Sequence, residues 1–198
     1  MYSVIRRYQG DAKALDDLAT LVNESAREIM MTIPGLVTYT FVVDGKGGAA
    51  SVGFFDDKAG ADESTKRAAE FVRQRAANLR LNPPSVQEGT VRLRKTSGTN
   101  PEFGVLRTYK LNPGSFDETL RRAEQELVPM ITQARGFATY NVIDTGHDTL
   151  VSASSFATRQ DAEDSTRQTA EWVKQNLSTF APNPPEVWSG QMKVRWTK

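Results

Sequence analysis

The residues here that could do chemistry are a single histidine and arginines, tyrosines and aromatics that occur in pairs, with no cysteine at all. Arg6 and Tyr8 recur as Arg107 and Tyr109, and Tyr39 recurs as Tyr140. Residues two apart in an extended segment share a face, so each arginine stands beside a tyrosine. A guanidinium so placed can hold a phenolate or a carboxylate through paired N–H donors. Its commoner use is an ion pair with an acidic residue of a helix, and that is the expectation for Arg6 and Arg107. Tyr39 and Tyr140 share faces with Phe41 and Val142, and such aromatics chiefly pack cores. Phe71 and Trp172 form a third pair, and one turn beyond Trp172 stands Asn176, where the earlier copy has Arg75. An aromatic and an amide on one helix face could stack and hydrogen-bond a flat polyphenol.

Other chemistries are excluded or weak. Without cysteine there is no disulfide, thiol catalysis or thiolate metal site. His147 falls in a turn, where neither a pocket nor an orienting partner is expected, so it reads as a solvated turn residue. Asp62-Glu63 and Glu163-Asp164 fall in the first turns of helices, where they offset the helix dipole. No metal or other cofactor is expected. The net charge of +1 gives no bulk attraction to nucleic acid. No stretch is long and apolar enough for a membrane span. The start, Met1–Tyr8, reads as a strand and not as a secretion signal, and a cytoplasmic setting is the expectation.

The pairs arise because the chain is written twice. At an offset of 101 residues (Tyr140 against Tyr39) the halves align without a gap. Gly35 meets Gly136, Thr38 meets Thr139, Ser64-Thr65 meets Ser165-Thr166, and Asn82-Pro-Pro84 meets Asn183-Pro-Pro185. This predicts two domains, 1–95 and 103–198, joined by a polar linker, 96–102.

Each half shows the same pattern. Short β-branched and aromatic runs predict strands at Tyr2–Tyr8, Leu36–Val43, Ala49–Phe55 and Glu88–Lys95. The apolar stripe Leu15, Leu18, Val22, Ala26, Ile29 and Ile33 predicts a helix over 11–33, and a second is expected near 59–79. The copy carries Pro129, which should kink or restart its first helix. Alternating Arg92 and Arg94, with Lys193 and Arg195 in the copy, predict a charged face that protects an outer strand. The order β-α-β-β-α-β is the ferredoxin-like motif, an α+β unit whose sheet has one uncovered face. A second copy in the chain is the natural cover.

Val4-Ile-Arg-Arg-Tyr8, Pro34-Gly-Leu-Val-Thr-Tyr39 and Gly146-His-Asp-Thr-Leu-Val-Ser152 carry a resemblance. So do the helix Ala162–Val173 and the Asn-Pro-Pro start of each last strand. The chain resembles the dimeric α/β-barrel superfamily, and within it the antibiotic-biosynthesis-monooxygenase-like group. The resemblance implies two tandem ferredoxin-like units closed as an intramolecular pseudo-dimeric α+β barrel. Further homo-oligomers are compatible with it. It also implies clefts between each sheet and its helices, lined in relatives by Trp, Asn, Tyr and Arg. On that basis Trp172, Asn176, Tyr140 and Arg107 are the candidate ligand contacts of the second half, with Phe71, Tyr39 and Arg6 in the first. Relatives that degrade haem use a helix histidine, which this chain lacks. Three functions stay open: a cofactor-independent monooxygenase of an aromatic or polyphenolic molecule, a non-catalytic small-molecule binder, and a structural barrel.

Overall fold

A computed structural model describes residues 1–198. The first half contains strands β1 (Tyr2–Gln9), β2 (Leu36–Val43), β3 (Gly48–Phe55) and β4 (Ser85–Thr96), and helices α1 (Ala12–Ser25), α2 (Arg27–Met31) and α3 (Lys58–Arg75). The second contains β5 (Phe103–Lys110), β6 (Phe137–Asp144), β7 (Thr149–Phe156) and β8 (Glu186–Thr197). Its helices are α4 (Phe116–Arg122), α5 (Val128–Thr132) and α6 (Arg159–Asn176). Hydrogen-bonded neighbours run β1-β3-β2-β8-β5-β7-β6-β4 and close into a barrel. No helix is long and apolar enough to cross a membrane.

The chain forms two compact units, but they do not end where the repeats end. One is Met1–Thr90 with Gly190–Lys198, and the other is Val91–Ser189. The cause is the length of the last strands. β4 and β8 start directly after the Pro-Pro pairs, earlier than sequence pattern suggested, because proline already holds the backbone extended. In the first unit β1 pairs antiparallel with β3 and with β4, and β2 pairs with β3 and with the end of β8. In the second, β5 and β6 both pair with β7.

Within the first unit, Val4, Tyr8, Tyr39, Phe41 and Phe55 meet Leu15, Leu18, Val22 and Phe71 from the helices in one core. Phe55 is fully buried, and so is Phe156 in the second unit. Each such ring contributes roughly 1.5–3 kcal/mol of transfer free energy. The predicted stripe is buried throughout except at Ile29, which is 37% exposed.

Pro129 acts as expected. Between α4 and α5, residues Ala123–Leu127 form a π-helix, and the Val128 N–H donates to the Ala123 carbonyl five residues back. The missing proline donor leaves the normal ladder incomplete at this point. The first half breaks at the corresponding place, Ala26, without a proline. The structure corrects the reading of the basic alternation in β4. β4 has a partner on both sides in the closed order, so it is not an outer strand. Arg92 instead bonds Asp117 and Asp144, and Arg94 donates to Asn141.

Candidate functional site

Alternation on β1 and β5 turns Arg6 and Arg107 toward the helices, and each is 2% exposed. Neither meets the acidic partner expected from sequence. Arg6 donates from Nη2 to Ser64 Oγ at 2.7 Å and Thr65 Oγ1 at 2.8 Å, both on α3. Arg107 donates from Nη1 to Ser154 Oγ on β7 at 3.0 Å and from Nη2 to Thr166 Oγ1 on α6 at 2.7 Å. The acidic side chains of the first helical turns point elsewhere: Asp62 pairs with Lys58 and Asp164 with Arg167. Arg6 Nε and Nη1 and Arg107 Nε have no partner. A buried cation held only by neutral hydroxyls is unusual, because burial of charge is unfavourable unless it is paired.

The two halves differ around these arginines. Position 154 is Ser in the second half, and its counterpart is Gly53. A Cβ on Gly53 would lie 2.7 Å from the Phe55 ring, so glycine is needed there. That glycine removes the hydroxyl that would have met Arg6 Nη1.

Between sheet and helices each unit has a small cavity. The first is lined by Tyr8, Tyr39, Phe41, Phe71 and Arg67, with a volume of about 20 Å³. The second, also about 20 Å³, is lined by Tyr109, Tyr140, Thr119, Ala123 and Leu127. Each has room for about one water molecule. Both fall far below the roughly 300 Å³ at which ligand pockets begin. A third pocket in the second unit reaches about 290 Å³ and is lined by Phe103, Val105, Ala162, Glu163, Thr166, Arg167, Val187 and Ser189. Thr166 links it to Arg107, and Val105 lies two residues before Arg107 on the same strand face.

The candidate residues separate accordingly. Tyr39 and Phe71 share the first cavity; Tyr140 lines the second. Tyr39 also stacks on Trp196, with centroids 5.1 Å apart. Trp172 lines neither cavity. A half-buried indole N–H seeks an acceptor, and here it donates to Glu126 Oε2 at 3.1 Å on the π-helix, where the first half has Ser25. Asn176 bonds the Trp172 carbonyl of its own helix. His147 is exposed in the β6–β7 turn at φ 49°. No cluster of three or more acidic or histidine side chains is gathered to hold a metal. Sequence reasoning missed Thr166, Ser154 and Ser189. The repeat alignment contained the signal, since Ser154 and Ser189 replace Gly53 and Glu88.

No protein-family model and no curated protein sequence matches the chain. Solved structures do match its fold. A candidate monooxygenase of Fusobacterium nucleatum superposes with TM-score 0.75 over 100% of this chain and 94% of its own, at 10% identity. An anthrone oxidase-like protein gives 0.66 at 14% identity, covering 99% and 92%. A haem-degrading enzyme of Listeria monocytogenes gives 0.54 at 7% identity, covering 96% and 99%. The likeness is one of fold: the chain shares the α+β barrel of these structures.

In this α+β barrel the tyrosines beside the arginines are neutral donors. Burial raises the pKa of Tyr8, Tyr39, Tyr109 and Tyr140, and the nearby guanidinium offsets this only in part. They are therefore unsuited to act as bases near neutral pH. A raised native pKa stabilises the fold below the unfolded value, near 10 for tyrosine, and that contribution is lost as pH rises. Arg6 and Arg107 work against this trend, because burial lowers their pKa and loss of a proton relieves it. Stability in urea is expected to hold level up to about pH 10 and to fall above it. Phenolate absorbance should appear together with unfolding. A native chain whose buried tyrosines ionise near pH 10 would contradict this.

Proposed function

We propose that the second half of this chain is a small-molecule site, and that the bound molecule is an electron-rich aromatic oxidised by O2 without a cofactor. The observation that carries the reading is the pocket of about 290 Å³ that Thr166 connects to a buried, carboxylate-free Arg107. Phe103, Val105, Ala162 and Val187 supply apolar walls for a ring. Arg107 favours the deprotonated phenol or enol, the form that can pass electrons to oxygen. Glu163 is the acidic residue of the wall and is the group there able to take the proton. One oxygen atom enters the substrate carbon and the other leaves as water with the two displaced hydrogens. The fold alone does not select this reaction; the names monooxygenase and anthrone oxidase among the fold neighbours suggest it.

The test is oxygen uptake with a panel of hydroquinones and anthrones. Uptake above the protein-free rate is expected, and Glu163→Gln should slow it by about 10²-fold, the lower end for a general base. Uptake equal to the protein-free rate, with a ligand-dependent change in tryptophan fluorescence, would replace the oxygenase by a binding protein.

A further inference from the structure

The two halves can be compared position by position around the pocket. In the first half the corresponding positions are Tyr2, Val4, Ala61, Asp62, Thr65, Lys66, Val86 and Glu88. There Glu88 lies within electrostatic reach of Arg6. It is held by Lys58, whose Nζ is 3.4 Å from Glu88 Oε1 and 2.6 Å from Asp62 Oδ1. The same ammonium lies 5.8 Å from the centroid of the Tyr2 ring. A carboxylate of the chain and its cation, both partly exposed, thus stand at the first-half counterpart of the second-half pocket.

The second half keeps the cations and loses the carboxylate. Arg159 takes the place of Lys58 and lies over the Phe103 ring at 5.1 Å. Thr166 takes the place of Thr65 and Arg167 that of Lys66. Ser189 takes the place of Glu88, and it lines the pocket. No acidic side chain acts on Arg107, whose titratable neighbours are the neutral phenols Tyr109 and Tyr140. A single exchange, Glu for Ser, has removed the counter-charge and left room where it stood.

Resting on the reading of the second half as a small-molecule site, we infer that its ligand carries a carboxylate, which takes the place beside Ser189, Thr166 and Arg159 that Glu88 fills in the first half. The apolar wall takes the body of the molecule. Glu163 on the same wall disfavours a dianion, so a monocarboxylate fits best. The buried, half-satisfied Arg107 supplies the field behind Thr166, and low dielectric strengthens it.

Benzoate and its neutral isostere benzamide test this by calorimetric titration of the full chain, with Ser189→Glu and Ser189→Gln as variants. Benzoate is expected to bind at least tenfold more tightly than benzamide, and Ser189→Glu to lose at least tenfold of that affinity. Ser189→Glu should also melt about 3 °C above Ser189→Gln, because it restores the internal counter-charge. Equal binding of benzoate and benzamide would overturn the carboxylate inference and leave the small-molecule site standing. Binding of neither probe, with equal melting of the two variants, would overturn both.

Discussion

Arg107→Met is expected to raise the melting temperature of this chain while removing its affinity for anionic ligands. Arg107 is buried and bonded only to hydroxyls, and burial pushes its pKa down. The native state therefore bears an uncompensated charge in a region of low dielectric. Exchanging buried charge for an apolar side chain of similar length is often stabilising by 1–4 kcal/mol. Here about 1 kcal/mol must be set against it, because Ser154 loses its partner. Thr166 does not, since its hydroxyl also donates to the Ala162 carbonyl at 2.7 Å. The net expectation is a gain of up to about 3 kcal/mol, or up to roughly 12 °C for a chain of this size. Arg6→Met should gain less, because Glu88 already compensates Arg6 in part. Thermal unfolding of both variants measures this. A lower melting temperature for Arg107→Met would mean that the guanidinium contributes to stability and is not held in reserve for a ligand.

Gly190→Ala is expected to have the largest effect of opposite sign. Gly190 opens the part of β8 that pairs with β2, where the register shifts between Phe41 and Val42. A Cβ there would stand 2.3 Å from the Val43 carbonyl oxygen and 2.6 Å from its carbon. These are backbone atoms inside a strand pair and cannot move as a side-chain tip can. The strand must shift, at a cost of about 2–3 kcal/mol and a melting temperature lower by roughly 4–12 °C. Gly98→Ala is the control. Nothing lies within 4 Å of its added carbon, and its φ is not positive. That variant should be neutral or gain up to about 0.5 kcal/mol through the unfolded state. Equal melting of the two variants would show that the close approach at Gly190 relaxes freely.

Much of the fold could be read from residues because the information is local. A period of two turned Arg6 and Tyr8 to one face, and the three- and four-residue stripe of Leu15, Leu18 and Val22 marked the buried side of α1. Pro129 announced the interruption before α5. The site was less legible. The expected ion pairs of Arg6 and Arg107 do not form, and Trp172 bonds Glu126 outside the cleft although its counterpart Phe71 lines one.

The repeat, the strand faces and the helix break near Pro129 follow from chain periodicity and from the restricted backbone of proline, so the sequence by itself determined them, whereas the break at Ala26 carries no such residue and only the folded chain shows it. Which acceptor meets a guanidinium depends on the turn of a distant helix that packs over the strand. A cavity's volume depends on how all its wall side chains pack at once. Those were decided only by tertiary structure, and they separate one closed half from one with an open pocket and an unmatched buried arginine.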